Sequence, residues 1–254
     1  MDQGWNPEQY LKYAGHRMRP ALDLLARVPL QSPATVFDLG CGPGNVTRLL
    51  ADRWPEADIT GVDGSPDMLA RAKEEHPGFN WVEADLTAWE PEKPADLLFS
   101  NAALHWLDGH SALFPRLMGH LNPGGVLAVQ MPGNYAQPSH TLIREAAGAL
   151  LGKLKPVLRE NPVAPPSDYY NFLKPVSAGL DIWETTYTQA LEGDNAAAEW
   201  LKGSALKPLL DVLDDDERET FFADYSALTR KAYPKQPDGL TLYPFRRVFI
   251  VAKR

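Results

Sequence analysis

Cysteine, positive charge and long apolar runs are all scarce in this chain of 254 residues. Cys41 is the only cysteine, which excludes an internal disulfide and a multi-cysteine zinc site and is typical of a reducing compartment. The formal net charge of −8 disfavours nucleic acid and anionic membranes, because the long-range field has the wrong sign. No apolar run approaches the roughly 18 residues of a membrane span. We therefore expect a cytoplasmic protein without nucleic-acid or membrane partners. The composition does not indicate its oligomeric state.

The residues that are present indicate a globular enzyme. Apolar residues make up 44% of the chain and charged residues 23%, which is typical of a folded globular protein. Short β-rich runs alternate with helical stretches, a pattern that predicts βαβ units and a parallel sheet. We predict an α/β fold with a doubly wound, mostly parallel sheet, in one domain spanning 1–254. The seven predicted strands are ATVFDLG, ADITGVD, FNWVEAD, ADLLFSN, GVLAVQM, DIWETTYTQAL and FRRVFIVAK.

Two segments depart from this alternation. A helix around Pro7–Val28 precedes the sheet, with Leu22 and Leu25 on its predicted apolar face, and we expect residues 1–30 to form a helical roof. After the fifth strand, residues 132–178 are rich in proline and in helical patterns. Ligands bind near the carboxyl ends of strands in such sheets, so we expect this second segment to be a cap over the substrate.

The strongest motif is DLGCGPG, residues 38–44, where the first strand passes into the first helix. A dinucleotide fingerprint needs a glycine at position 45, where this chain has Asn45, so a nicotinamide dehydrogenase is disfavoured. The spacing favours a nucleoside cofactor that carries an amino acid. We expect Asp38 to accept the ammonium group, directly or through water, beside the main chain of Gly40, Cys41, Gly42 and Gly44.

Two more carboxylates follow at the ends of the next strands. Asp63 lies 19 residues after Gly44 and is placed to accept both hydroxyls of a ribose, with Gly64 and Ser65 beside it. A solvent-exposed turn aspartate is the alternative. Asp85 ends the third predicted strand, and we expect it to accept from an adenine amine while two apolar side chains enclose the ring, Met68 and Leu86.

The fourth strand leads into NAALHW, residues 101–106. We expect Asn101 to offer its main-chain carbonyl to the cofactor, with Ala102 next to it. His105 and Trp106 would then flank the transferred group. A hydrogen-bonded packing role is an equal alternative for His105, because the spacing shows no carboxylate partner.

These motifs resemble the class I S-adenosylmethionine methyltransferases, and longer stretches resemble the trans-aconitate 2-methyltransferase family. The stretches that carry the resemblance are the opening WNPEQYL, FDLGCGPGN, GVDGSPDML, SNAALHWL, QMPGN followed by Pro138-Ser139-His140, and the terminal FRRVFIVA. These stretches are distributed from the beginning to the end of the sequence, so the resemblance extends over nearly the whole chain. The glycine motif is shared with many methyltransferases, whereas the opening segment and QMPGN followed by Pro138-Ser139-His140 are far more specific. The resemblance implies S-adenosylmethionine as cofactor, methyl transfer to a carboxylate of trans-aconitate or a close tricarboxylate, and S-adenosylhomocysteine with a monomethyl ester as products.

Such an acceptor explains why the sequence shows no convincing catalytic dyad. A carboxylate is already ionised at neutral pH, so it needs no general base. Its spectator carboxylates need guanidinium groups or other donors. Tyr10 or Arg17 is a further candidate for holding the cofactor's own carboxylate. The candidate substrate-binding residues are Arg17, Arg19, Trp106, Asn134, His140, Tyr169, Tyr170, Arg246 and Arg247.

Other interpretations stay open at this point. The same fold can methylate a different small metabolite, because folds do not fix function. A non-catalytic S-adenosylmethionine-binding module is a second alternative. We predict no metal site, and we interpret the acidic run Asp214–Glu217 as a helix N-terminus, where carboxylates are favoured by the helix dipole.

Overall fold

The computed structural model describes residues 14–254, with side chains from Met18 onward. The predictions for Tyr10 and for the side chain of Arg17 lie outside the described residues. The described chain forms one seven-stranded sheet with helices between its strands. The strands are β1 (Thr35–Leu39), β2 (Asp58–Asp63), β3 (Asn80–Glu83), β4 (Ala95–Asn101), β5 (Leu121–Pro132), β6 (Gly179–Leu191) and β7 (Thr241–Lys253).

The sheet order is β3-β2-β1-β4-β5-β7-β6. β1 to β5 pair in parallel, and β7 pairs antiparallel with β5, from Val126 opposite Lys253 to Pro132 opposite Arg247. The chain reverses its direction of winding between β1 and β4, which is the switch point at which ligands bind in open α/β sheets. The predicted doubly wound, mostly parallel seven-stranded sheet is confirmed.

The helices follow the predicted alternation through the first half of the chain. They are α1 (Ala14–Ala26), α2 (Asn45–Arg53), α3 (Pro66–Glu75), α4 (His110–Gly119), α5 (Pro138–Ala147), α6 (Leu151–Leu154), α7 (Pro166–Leu173), α8 (Ala196–Lys202), α9 (Lys207–Asp211) and α10 (Asp215–Ala232). Among these described helices, none combines the length and the apolar character that crossing a membrane requires.

Local sequence signals explain several helix boundaries. The Ser65 hydroxyl accepts from the backbone of Met68 and Pro66 occupies the first turn, so α3 begins at Pro66. Asp214 and Glu217 form a capping box at the start of α10, which confirms that the acidic run is a helix N-terminus. The placement of Leu22 on the apolar face of α1 is wrong, because its side chain is 49% exposed and Leu24 is buried instead.

The described chain contains two compact units. The sheet unit comprises 18–132, 162–185 and 247–254, and the helical unit comprises 133–161 and 186–246. Helices do follow β5, but the predictions of one domain over 1–254, a roof at 1–30 and a cap at 132–178 stay predictions.

The core of the sheet unit fixes where its loops emerge. Val36 and Leu39 of β1 and Leu97 and Phe99 of β4 are completely buried. Burial of both faces is expected for central parallel strands that helices cover on each side. Because β1, β2 and β4 are parallel, their carboxyl ends meet at one edge, where the glycine loop, Asp63 and Asn101 follow.

Candidate active site

The glycine loop after β1 is tied to the end of β2. The amides of Gly40 and Cys41 both donate to the carbonyl of Val62, at 2.7 and 3.1 Å. The amide of Gly44 donates to the carbonyl of Cys41, so the loop closes a tight turn before α2 begins at Asn45. This arrangement brings the backbone of the loop to the switch point of the sheet.

Gly40 is the most constrained glycine of the loop. Its φ is +74°, a conformation that residues with a side chain rarely adopt. A Cβ on Gly40 would lie 2.1 Å from the Cβ of Ala103. The turn after β4 therefore packs directly on the glycine loop, and position 40 has no space for a side chain.

Asp63 connects the loop to the start of the next helix. One carboxylate oxygen accepts from the amide of Gly42 at 2.8 Å, and the other accepts from the amide of Ser65 at 2.9 Å. Each carboxylate oxygen has capacity for a further hydrogen bond. Asp63 is half-buried, so it can hold the loop and still accept from two hydroxyl groups of a ligand.

Asp38 is buried and its side-chain partner is Thr47. Its side chain is 1% exposed and accepts from the Thr47 hydroxyl at 2.7 Å. Burial away from water raises the pKa of Asp38 to about 7, and the bond from Thr47 opposes this effect while the nearby Asp63 adds to it. Asp38 is therefore mostly a neutral acid below that pH, and a bound ammonium group would favour its carboxylate form.

This raised pKa predicts that cofactor affinity depends on pH. Because the neutral acid must lose its proton to face an ammonium group, affinity for S-adenosylhomocysteine should rise by up to about tenfold per pH unit from about pH 5.5 to 7. That range lies below the pKa of an ordinary α-amino group, about 7.7–8.0. Calorimetry in buffers of different ionisation enthalpy should show proton release in this range.

The variant Asp38→Asn is the control for this dependence. It retains the shape of the side chain and cannot ionise, so its weaker affinity should vary little over the same range. A flat wild-type profile would contradict the assignment of Asp38 to the ammonium group.

Cys41 lies within the loop but is not a nucleophile. Its thiol is buried and donates to the carbonyl of Gly42 at 3.7 Å. Burial and the charges of Asp38 and Asp63 raise the pKa of the Cys41 thiol far above its ordinary range. Since the thiolate is the reactive form, only the backbone of Cys41 is available to a ligand, as predicted from the sequence.

The predicted adenine contacts follow β2 and β3. β3 ends at Glu83, so Asp85 lies two residues beyond the strand and does not close it as predicted. Asp85 is exposed, and bonds from Thr87 lower the pKa of its carboxyl group. Met68 and Leu86 are 6% and 8% exposed, so each presents a small apolar surface. Their role in enclosing an adenine stays a prediction.

The end of β4 carries an unusual backbone. Ala102 has a φ of +55°, a left-handed conformation that costs about 1–3 kcal/mol for a residue with a side chain. Its amide donates to the carbonyl of Gln130 at 2.9 Å, and the Gln130 side chain donates to that of Asn101 at 2.6 Å. These bonds hold Asn101 and Ala102 in place. Strained backbone persists where the surroundings determine it, often at ligand sites.

His105 and Trp106 lie in a short 3-10 turn, Leu104–Trp106, with ring centroids 4.8 Å apart. His105 is 5% exposed, whereas Trp106 is only partly buried. The geometry leaves both interpretations of His105 open, packing or contact with the transferred group.

Tyr169 differs from its neighbour Tyr170. Tyr169 is completely buried, and its hydroxyl lies 2.7 Å from Nδ1 of His110 and accepts from the amide of Ala164. Tyr169 therefore packs in the core in this conformation, and its predicted substrate contact stays a prediction. Tyr170 is 50% exposed and Arg19 is also exposed, so both can reach a ligand, and their predicted substrate contacts stay predictions.

The remaining candidates lie in the helical unit. Asn134 is completely buried and donates to the carbonyl of Pro244 at 2.9 Å. His140 is half-buried beside the ring of Tyr135, and burial lowers its pKa to about 4. Arg246 donates to the carbonyl of Gly133 at 3.1 Å and is partly exposed. Arg247, in the sheet unit, is buried.

Several hydrogen-bond partners of the candidate residues and their neighbours were not predicted from the sequence. Thr47 lies inside α2, outside the motifs, and Gln130 lies inside β5, where the QMPGN stretch gave it no predicted role. Three tyrosines of the helical unit, Tyr225, Tyr233 and Tyr243, bond to Ser139 from 86, 94 and 104 residues further along the chain. Only tertiary contacts reveal these partners. Among the described residues, no group of three His, Cys, Asp or Glu side chains is arranged to hold a metal ion.

Comparison with known proteins identifies close relatives. A family model described as "Methyltransferase domain" matches residues 36–125. A trans-aconitate 2-methyltransferase of Azoarcus sp. is 48% identical over 250 residues, which cover 98% of this chain and 99% of the relative. The protein of that name from Methylobacterium nodulans is 49% identical over 253 residues, 98% of each chain. An Escherichia coli protein of that name is 46% identical, again over 98% of each chain.

Solved structures support the fold. The YcgJ protein of Bacillus subtilis superimposes with a TM-score of 0.61 at 13% identity, covering 93% of this chain and 98% of that one. A phosphoethanolamine N-methyltransferase of Haemonchus contortus, solved with S-adenosylhomocysteine, has a TM-score of 0.55 at 18% identity, covering 93% of this chain and 52% of that one. Because relatives more than 45% identical align over 98% of its length, the chain belongs to the trans-aconitate 2-methyltransferase family.

Proposed function

We propose that this chain transfers a methyl group from S-adenosylmethionine to a carboxylate of trans-aconitate, giving a monomethyl ester and S-adenosylhomocysteine. The observation that carries the proposal is the full-length similarity, 46–49% identity, to relatives with that name. The glycine loop and the carboxylates beside it support the choice of cofactor. The net charge of −8 and the single buried cysteine support a cytoplasmic enzyme that acts on a small molecule and not on nucleic acid.

The residues of the sheet unit fit this cofactor. Apart from the chain neighbours of Gly42, no atom of residues 14–254 lies within 4 Å of a Cβ built on it, so this part of the chain leaves bare backbone and open space there. Asp63 has accepting capacity for ribose hydroxyls, and Asp38 can become a carboxylate opposite an ammonium group. The donors and acceptors therefore match a nucleoside that carries an amino acid.

The proposed reaction needs little acid-base chemistry. When bound, S-adenosylmethionine supplies a methyl group attached to a positively charged sulfur, and the electron pair of the broken carbon–sulfur bond stays on the sulfur. A carboxylate oxygen of the acceptor forms the new bond, and no proton is transferred. The protein's contribution is then alignment of the acceptor and exclusion of water. Neither Cys41 nor His140 is needed as a base.

Charge explains how the acceptor is held. The reacting carboxylate loses its negative charge as the ester forms, whereas the other two carboxylates keep theirs. Ion pairs between guanidinium groups and those two carboxylates are therefore retained in the transition state, and they fix the orientation of the acceptor. Arg246 is a candidate, because its backbone carbonyl accepts from the amide of Gly133 and its side chain is partly exposed. Arg17 and Arg19 are the others.

We predict that Arg246→Ala or Arg17→Ala raises KM for trans-aconitate by roughly 10- to 100-fold, which corresponds to loss of one charge-assisted hydrogen bond. Cofactor affinity should change less for at least one of them. Arg71→Ala is the matched control, because Arg71 forms a surface ion pair with Glu75 of the same helix at 2.9 Å. Initial rates at saturating cofactor measure the effect. Unchanged KM in both variants would refute an arginine clamp.

Substrate trials with methyl-labelled cofactor test the function itself. Ester formation from trans-aconitate supports the proposal, and turnover only on other small acids favours the metabolite alternative. Cofactor binding without turnover on any acceptor favours a non-catalytic module. Absence of ester from every di- and tricarboxylate would overturn the proposal.

A further inference from the structure

A buried cluster of hydroxyl groups surrounds Ser139 at the start of α5. Pro138 precedes it and lacks an amide proton. The Ser139 amide, one of the first in the helix and so without a helical partner, donates to the hydroxyl of Tyr233 at 3.0 Å. The hydroxyl of Tyr225 donates to the Ser139 carbonyl at 2.5 Å. These two tyrosines fix the backbone of Ser139, while its side chain has different partners.

The side-chain hydrogen bonds form a chain with one direction. Nδ2 of Asn134 lies 2.9 Å from the Pro244 carbonyl, which can only accept, so the amide group and not the oxygen must face it. This orientation leaves Oδ1 of Asn134 buried without a hydrogen-bond partner among the described residues. The amide's second proton is directed to the Tyr243 hydroxyl, 3.4 Å away.

The next two hydrogen bonds of the chain join the hydroxyl of Tyr243 to that of Ser139, and that of Ser139 to a histidine ring. Because the oxygen of Tyr243 accepts from Asn134, its proton donates to Oγ of Ser139 at 3.2 Å. Oγ of Ser139 lies 3.1 Å from Nδ1 of His140 and has its own proton to donate. When Oγ donates this proton to Nδ1, the ring nitrogen is an acceptor and the single ring proton of a neutral imidazole resides on Nε2.

We propose that Asn134, Tyr243 and Ser139 form a hydrogen-bond relay that holds His140 as a neutral imidazole protonated on Nε2, a fixed donor to a carboxylate of the acceptor. The role toward the acceptor rests on the proposed function, whereas the relay does not. Burial lowers the pKa of His140 to about 4, so the ring is neutral at neutral pH. Asn134, Tyr243 and Ser139 are positioning residues, and Asn134 acts from the core without touching substrate.

Nuclear magnetic resonance of the full chain labelled with nitrogen-15 histidine tests the relay without any turnover. Long-range proton–nitrogen correlations distinguish the two neutral tautomers, and the signals of His140 are those lost in His140→Gln. We expect the Nε2-protonated tautomer in the wild type at neutral pH. Ser139→Ala and Tyr243→Phe should give a mixture of tautomers. An Nδ1-protonated or doubly protonated ring in the wild type would overturn the relay.

Tyr225→Phe is the matched control, because it removes a hydroxyl from the same cluster that donates to the Ser139 backbone carbonyl and not to the Ser139 side chain. It should leave the tautomer unchanged; a shift as large as in Tyr243→Phe would mean a general packing effect and would overturn the relay. In kinetics, His140→Ala should raise KM for the acceptor about tenfold with a smaller change in kcat, and Tyr225→Phe should not. The predicted tautomer with no change of KM in His140→Ala would overturn only the contact with the acceptor.

Discussion

Replacing Asp63 with alanine is expected to reduce cofactor affinity by at least about 100-fold, because it removes a charge-assisted acceptor for two ribose hydroxyls at about 1.5–3 kcal/mol each. The variant also loses the bonds from the amides of Gly42 and Ser65, which hold the glycine loop to the start of α3. Calorimetry with S-adenosylhomocysteine measures the affinity. Thermal unfolding measures the loss of stability, so the two effects of the substitution can be distinguished.

The same strand provides a control for Asp63. Asp58 stands at the opposite end of β2, where it accepts from Asn80 and from Lys93 in exposed bonds. Asp58→Ala removes the same residue type from the same strand, but away from the carboxyl ends where ligands bind. It should leave cofactor affinity within about twofold, since exposed pairs contribute little. Equal affinity losses in the two variants would contradict the ribose assignment.

Substituting Gly40 with alanine should produce the largest loss of stability in the loop. The new Cβ would lie 2.1 Å from the Cβ of Ala103, and the backbone has a φ of +74°. Overpacking costs about 1–3 kcal/mol and a left-handed alanine adds about 1–3 kcal/mol, so the free energy of unfolding should fall by about 2–6 kcal/mol. Chemical denaturation measures this fall, and any folded fraction should bind cofactor poorly.

Gly42 separates the two contributions. Its φ of +55° carries the same backbone strain, but apart from its chain neighbours no atom of the described residues lies within 4 Å of a Cβ at this position. Gly42→Ala should therefore destabilise the protein by the backbone contribution alone, about 1–3 kcal/mol. If Gly40→Ala proved no more destabilising than Gly42→Ala, the close approach of Ala103 would not be a determinant of the loop.

The alternation of strands and helices was predictable because its causes are local. Ser65 and Pro66 begin α3, and Asp214 begins α10, through bonds that reach only three residues along the chain. Apolar runs that end in turn residues located the strands, although Asp85 proved to lie beyond β3. The exposure of Leu22 was not predictable, because helical periodicity cannot show which turn of a helix meets a neighbouring element.

The cofactor motif was predictable for a similar reason. The glycine loop and Asp63 follow strands that periodicity already identifies, and parallel strands bring their ends to one edge. The ionisation of Asp38 was not predictable, because its raised pKa depends on burial and on the bond from Thr47. The difference between Tyr169 and Tyr170 likewise required the structure, since the two adjacent residues share the same chemistry and differ in burial.

By itself the sequence determined the order of elements, the loop that receives a nucleoside and the family, because each is written in contiguous residues. Only the tertiary structure decided which polar groups face one another. The partners of Ser139 come from α10, the segment after it and β7, between 86 and 104 residues further along the chain. Hydrogen bonds have a direction set by the geometry of both partners, and for partners so distant in sequence that geometry exists only in the folded chain.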